Sequence, residues 1–181
     1  MFVYEVDENI VLRQLKLQDA NELFQLTDHA RDYLREWLPW VDTTVKPEDT
    51  LAFIDHTLKS SEMKSALTTG IIFKGKLVGL ISFNSLDWAN RIGYVGYWLS
   101  PDYQGNGIMT RAVRALTDYA FNTLGLNRVD IRAAYENKKS RAIPERLGFT
   151  EEGLIRHAEW LYDHYVDHVV YGMLASEWYR F

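Results

Sequence analysis

Along the first third of the chain apolar residues recur at helical spacing, and along much of the remainder they fall into short runs that alternate. The segment from Ile10 to Arg13 reads as a short strand. Ala20, Leu23, Phe24 and Leu26 then share one face of a helix predicted from Asp19 to Leu26. In REWLPWVD the bulky Trp37, Leu38 and Trp40 crowd a segment broken by Pro39, which predicts a loop or an interrupted helix. Pro47 opens a further helix reaching about Ser61, with Glu48 and Asp49 near the positive end of its dipole. From there the rhythm changes. TGIIFKGKLVGLISFNS holds two apolar runs around Lys74, Gly75 and Lys76, a hairpin signal, and IGYVGYWL predicts a third strand. Gly93 and Gly96 within it mark a bulge or a close backbone approach. Val113, Leu116, Ala120 and Leu124 stripe a helix that Gly125 ends. RVDIRAA alternates with period two, ENKKSRAIPERLGF reads as a helix capped by Asn137 and closed by Gly148, and HVVYGML is a final strand. Helices, an antiparallel meander and βαβ-like crossovers predict a mixed sheet of the α/β or α+β class.

Composition narrows the function classes. With 181 residues, 47% of them hydrophobic and 25% charged, the chain suits one domain over residues 1–181 with a sizeable core. It has no internal repeat and no linker. No apolar run approaches the ~18 residues of a membrane span, and no leader-like segment opens the chain, so a cytoplasmic location is expected. The absence of cysteine removes disulfides, thiolate zinc sites and a cysteine acyl-enzyme. A formal net charge of −5 argues against a nucleic-acid footprint and mildly favours a cationic acceptor. His164 and His168 stand four apart, but on a predicted strand, where that spacing does not make a metal pair; no metal is expected.

The candidate chemistry begins at PDYQGNGIMTRAV, residues 101–113. Asn106-Gly107 alone would signal a hairpin, but a hairpin needs a following strand and Ile108 to Leu124 has helical periodicity. A strand, a glycine-rich loop and a helix N-terminus present unpaired N–H groups and a positive dipole end to one point, which suits phosphate or pyrophosphate. It is not a P-loop, since no Gly-Lys-Ser/Thr follows, and Thr110 occupies the place of the third glycine of a dinucleotide fingerprint.

Gln104-Gly105-Asn106-Gly107-Ile108-Met109 resembles the Q/R-x-x-G-x-G/A loop with which N-acetyltransferases of the GNAT superfamily hold the pyrophosphate of acetyl-CoA. VLRQLKLQDANELFQL, YLREWLPWVD, GKLVGLISF, GYWLSPDYQGNGIMTRAV and NKKSRAIPERLGFTEEG are similar to its RimJ/RimL subgroup, so the resemblance covers nearly the whole chain. It implies the GNAT fold, a mixed and mostly antiparallel sheet of about seven strands flanked by helices. It implies an acetyl-CoA-dependent transferase acting on the N-terminal amine of a protein, notably a ribosomal one, and a homodimer. The implied acetyl-CoA contacts are Trp98, Leu99, Gln104, Gly105, Asn106, Gly107, Ile108, Met109, Thr110, Asn137 and Ser140. Met109 departs from the usual Gly or Ala and would narrow the loop.

Acetyl transfer by direct attack needs a neutral amine, a polarised thioester and a proton donor for the departing thiolate. Many GNAT enzymes place a tyrosine donor seven residues after the motif asparagine, and here that position is Pro144. A proline there cannot give a hydrogen bond to the carbonyl of Ser140, so the helix after Asn137 is expected to be short or kinked. The nearest hydroxyl on that helix face is Ser140, and the resemblance to RimL-like enzymes implies Ser140 as the acid and Glu159 as the base. A serine satisfying its own helix backbone and a solvated loop glutamate are the plain alternatives. Asp163 and Asp167 are weaker candidates for the base. Trp37, Trp40 and Trp160 would line an acceptor groove or belong to the core, and Lys138 and Lys139 would meet phosphates or water. Two other functions stay open: acetylation of a polyamine or aminoglycoside, with Glu36, Asp42 and Glu48 as the acidic residues near the tryptophans, and a non-catalytic acyl-CoA-binding module.

Overall fold

The computed structural model describes residues 1–179, and its centre is one sheet of eight strands. In chain order these are β1 (Val3–Glu5), β2 (Ile10–Gln14), β3 (Leu67–Phe73), β4 (Lys76–Asp87), β5 (Ile92–Leu99), β6 (Arg128–Ala134), β7 (Thr150–Leu161) and β8 (His164–Leu174). Their spatial order is β1-β2-β3-β4-β5-β6-β8-β7, and only the β5–β6 pair is parallel. The helices are α1 (Ala20–His29), α2 (Arg31–Arg35), α3 (Pro47–Glu62), α4 (Ile108–Asn122), α5 (Lys138–Arg146) and α6 (Ala175–Trp178).

Local sequence accounts for these joints. At the β3–β4 hairpin Lys74 (φ 49°) and Gly75 (φ 81°) are both left-handed, the backbone a two-residue turn needs between right-twisted strands. A parallel pair cannot be closed by a tight turn, so β5 and β6 are joined by the α4 crossover. One sheet face, with Ile71, Ile81, Val95 and Ile131, packs on Ile108, Ala112, Val113 and Leu116 of α4. The other places Leu77 and Leu80 against Ala20 and Leu23 of α1 and Ile54 of α3. Helices therefore cover both faces, which fixes the side from which each part of a site is reached.

Two strands, β1 and β7, go beyond the six read from the apolar pattern, giving eight where the resemblance implied about seven. The three residues of β1 are too few to carry a period. β7 is the outer edge, paired on one side only and exposed from Thr150 to Ala158, so neither face demands an apolar set. Glu159, expected in a loop, lies on this strand. The expected close approach at Gly93 and Gly96 is observed. A Cβ on Gly93 would stand 2.9 Å from the Phe83 ring, and one on Gly96 would collide with Asn84, where β4 bulges.

One irregularity positions everything that follows. The β5–β6 ladder runs from Ile92↔Arg128 to Val95↔Ile131 and stops. Beyond it Gly96 to Leu99 pair with β4 alone and Arg132 to Ala134 with β8 alone. The sheet opens there into a wedge, whose two walls carry backbone groups turned toward one another without reaching.

Candidate active site

At the open end of the wedge the chain leaves β5, makes a 3-10 turn over Pro101–Tyr103 and enters α4 through Gly105 (φ 80°) and Gly107 (φ 67°). Left-handed backbone at both points turns successive N–H groups to one side. Among the described residues, none of the N–H groups from Gly105 to Thr110 donates to a protein acceptor. A Cβ at either glycine would meet nothing within 4 Å. The loop is braced from outside: Asn106 Nδ2 donates to the carbonyls of Tyr103 (3.1 Å) and Gln104 (3.3 Å), and Arg111 donates to those of Asn106 (3.1 Å) and Gly107 (3.3 Å). Arg111 is anchored in turn on Asp7, at 2.6 Å. Desolvation pulls the Asp7 pKa upward, but the Asn9 and Ile10 N–H groups and Arg111 outweigh it and hold this carboxyl below its ordinary range. Unpartnered donors, open space and a helix N-terminus fit a pyrophosphate.

A cleft of about 1820 Å³ runs from this loop through the wedge and out between the sheet and the α1–α3 layer. Of the residues expected to touch acetyl-CoA, Trp98, Leu99, Gln104, Gly105, Gly107, Ile108, Met109, Thr110, Asn137 and Ser140 border it, whereas the side chain of Asn106 does not. Met109 is only 6% exposed and packs into the core on the wall of the cleft, so it does not narrow the loop as expected. Gln104 donates to the Tyr33 hydroxyl at 2.7 Å, while Lys139 Nζ lies 3.4 Å from Gln104 Oε1 and 5.9 Å from the Tyr33 ring. Lys139 thus reaches the cleft and Lys138 does not. Trp37 and Trp40 border it too, Trp40 packing on Trp98 at 6.3 Å between ring centroids. Trp160 is 54% exposed on β7, packed on Tyr165, and stays outside. Glu36, Asp42 and Glu48 do not border the cleft either, and Asp42 is held by Arg35 at 2.8 and 3.0 Å.

α5 runs beside the wedge for nine residues and passes through Pro144. Asn137 caps it, its Oδ1 accepting the Ser140 N–H at 3.2 Å. The Ser140 carbonyl, for which Pro144 has no N–H, accepts the Tyr97 hydroxyl at 3.0 Å. Burial raises the Tyr97 pKa well above its ordinary value, so this hydroxyl stays protonated and donating. Among the described residues the Ser140 hydroxyl has no hydrogen-bond partner, so the plain alternative of a serine bonded to its own helix is not what is found.

On the opposite wall Glu159 Oε1 lies 3.9 Å from His168 Nε2, both side chains bordering the cleft at 32% and 20% exposure. A bulge aims the glutamate there. Ile155 pairs with His168 and Glu159 with Val166, so β7 fits four residues against two of β8, and His157 takes φ 49° with its N–H on Asp167 Oδ1 at 2.8 Å. The carboxylate of Asp167 is therefore committed to the backbone. Asp163 bonds His164 at 2.6 Å in the hairpin, and that contact lowers its pKa. Asp130, 6% exposed, binds Arg128 through Oδ2 at 2.9 Å, and its Oδ1 stands 3.4 Å from Arg132 Nε. Sequence reasoning missed His168, Tyr97 and Arg132 as cleft residues. For His168 the alternation of HVVYGML could have shown that it shares a face with Val170, but not what stands opposite. Among the described residues no three His, Asp or Glu side chains converge as a metal site, and no helix is long and apolar enough to cross a membrane.

A family model described as an acetyltransferase (GNAT) domain matches residues 9–150. YdaF of Bacillus subtilis (strain 168), whose name assigns it provisionally to ribosomal N-acetylation, is 37% identical over 180 residues, 98% of either chain. The crystal structure of the microcin C7 self-immunity acetyltransferase MccE with acetyl-CoA and AMP superposes with a TM-score of 0.90 at 32% identity, covering 93% of this chain and 94% of that one. RimL, the ribosomal L7/L12 alpha-N-protein acetyltransferase, solved with coenzyme A, gives 0.91 at 28%, covering 96% and 98%.

Proposed function

The chain belongs to the GNAT acetyltransferases and is an acetyl-CoA-dependent N-acetyltransferase; from that premise we propose that it acetylates the N-terminal α-amino group of a protein of the ribosomal type, by direct attack with both substrates bound. The observation that carries the reading is the continuity of the cleft. It has the glycine loop with its unpartnered N–H groups at one end, Ser140 on one wall, and Glu159 with His168 on the other. In this reading a single domain holds the whole reaction, and two copies associate as a homodimer.

Each side chain has a role that its surroundings permit. The bare N–H groups from Gly105 to Thr110 hold the pyrophosphate of acetyl-CoA, which supplies the acetyl thioester. The wedge directs the thioester toward the α1–α3 side, where Trp37 and Trp40 exclude water from the acceptor. Glu159 accepts the amine proton, and the uncommitted hydroxyl of Ser140 gives one to the leaving thiolate. An α-amine with pKa ~8 needs less help than a lysine at ~10.4, so a carboxylate half open to water suffices at neutral pH.

A polyamine acceptor would call for several free carboxylates. Along the cleft Asp49 accepts the Val45 and Lys46 N–H groups and Asp130 is paired with Arg128 through Oδ2, which leaves Glu159 and the buried Oδ1 of Asp130, too few free carboxylates for a polyamine. The test is thiol release from acetyl-CoA with Ser- and Ala-initiated peptides, spermidine and an aminoglycoside. We expect release with the peptides, lowered about a hundredfold in Ser140→Ala, a larger loss than that in acetyl-CoA affinity. Release with spermidine or the aminoglycoside alone would reject the peptide acceptor, and binding without release in any arm would reject catalysis.

A further inference from the structure

We propose that Tyr97 is a positioning residue for Ser140, and that Pro144 is what makes it necessary. The inference rests on the reading of Ser140 as the proton donor. In an uninterrupted helix the N–H of residue 144 would satisfy the carbonyl of residue 140, and proline has none to give. Ser140 is half-buried, so that carbonyl needs a partner from elsewhere, and the Tyr97 hydroxyl reaches it from β5 at 3.0 Å. The Ser140 N–H is meanwhile held by Asn137 Oδ1 at 3.2 Å. Both backbone groups of Ser140 are thus fixed by side chains, while its hydroxyl is left uncommitted.

The tether matters because of where it is attached. Tyr97 lies on Gly96 to Leu99, the stretch of β5 that forms one wall of the wedge. On the other side Arg141 Nε donates to the Tyr171 hydroxyl of β8 at 2.9 Å, and that hydroxyl donates to Glu145 Oε1 at 2.8 Å. α5 is therefore pinned to strands on both sides of the gap, by Tyr97 at one residue and by Tyr171 at the next. A helix with an ordinary residue at 144 would close its own hydrogen bond and leave Ser140 registered only to α5. With proline, Ser140 is registered to the strand against which the thioester lies. A proton donor displaced by about 1 Å costs on the order of a hundredfold in rate, so this registration is worth holding.

The experiment separates tethering from mere satisfaction of a carbonyl. Tyr97→Phe is expected to lower kcat at least about tenfold with the KM for acetyl-CoA within about twofold, and to lower Tm. Tyr97→Phe combined with Pro144→Ala restores an N–H to the Ser140 carbonyl and should recover Tm but not kcat. In a Ser140→Ala background Tyr97→Phe should cost no further turnover. Recovery of kcat in the Tyr97→Phe/Pro144→Ala variant would overturn the proposal, as would a Tyr97→Phe loss of full size in the Ser140→Ala background. An unchanged kcat in Tyr97→Phe beside a lowered one in Ser140→Ala would overturn the tether and leave the donor standing. An unchanged kcat in Ser140→Ala would reject the donor and the tether with it.

Discussion

Gly107→Ala puts the phosphate loop to a controlled test, because the fold supplies its own reference in Gly75→Ala. Both glycines are left-handed, at φ 67° and 81°, and at both an added Cβ meets nothing within 4 Å. Contact strain is therefore absent and the common cost is the left-handed backbone itself, ~1–2 kcal/mol for a residue with a Cβ. For a chain of this size about 1 kcal/mol corresponds to ~2–4 °C, so each variant should melt roughly 2–8 °C lower. Their binding of coenzyme A should differ. Gly75 lies in the β3–β4 turn away from the cleft, and Gly107 borders it. Relief of strain at Gly107 rotates the Ile108 and Met109 N–H groups away from their common point. One lost hydrogen bond to a charged phosphate is worth ~1.5–3 kcal/mol, or about ten- to a hundredfold in Kd. Thermal melting and calorimetric titration with coenzyme A read the two effects separately. Unchanged affinity in Gly107→Ala, or an equal loss in Gly75→Ala, would refute the cradle.

Asp167→Ala removes the acceptor that holds His157 in the β7 bulge, so turnover should fall at least about tenfold while coenzyme A binding is unchanged; full activity would show that Glu159 is aimed without it. Asp19 accepts two bonds from Arg13, at 2.7 and 2.9 Å, and one from the Lys16 N–H at 2.7 Å. Burial alone would raise its pKa, but these bonds outweigh burial and lower it. A carboxyl depressed by folding stabilises above its unfolded pKa, near 3.8, and that contribution is lost as pH falls through the folded value. Asp19→Asn should therefore cost about 2–3 kcal/mol at pH 7, less than a fully buried pair because Arg13 keeps some solvent, and should flatten the acid arm of a Tm-against-pH curve. An acid arm as steep as that of the parent would refute the assignment.

What the sequence made legible follows from which residues had to be buried. β2 to β6 and α1 and α4 carry apolar positions dictated by a covered face, so their runs and periods located them, while α3 was marked by Pro47 and the acidic residues of its first turn. The phosphate loop was legible for a different reason: Gly105 and Gly107 adopt backbone that other residues avoid, and α4 follows at once. β7 was not, since a strand exposed on both faces is under no pressure to alternate. Its bulge was invisible as well, because Gly153, His157 and Asp167 declare their roles only once β8 is alongside. Ser140 and Glu159 were named through family resemblance, but their surroundings were not. Tyr97 and His168 lie 43 and 9 residues away from them in the chain, and registration across the sheet is a tertiary fact.

The interrupted β5–β6 ladder has a consequence for the life of the protein. Only four residue pairs, from Ile92↔Arg128 to Val95↔Ile131, stitch the first five strands to the last three by direct pairing. If the co-substrate lies in the wedge as proposed, it bridges the two walls there, and its binding energy adds to the cohesion of the whole sheet. At a hundred times Kd that linkage is worth about 2.7 kcal/mol. On that reading the lifetime of the folded enzyme is coupled to the supply of coenzyme A, acetylated or free, and an empty cleft leaves a sheet held along a four-pair seam.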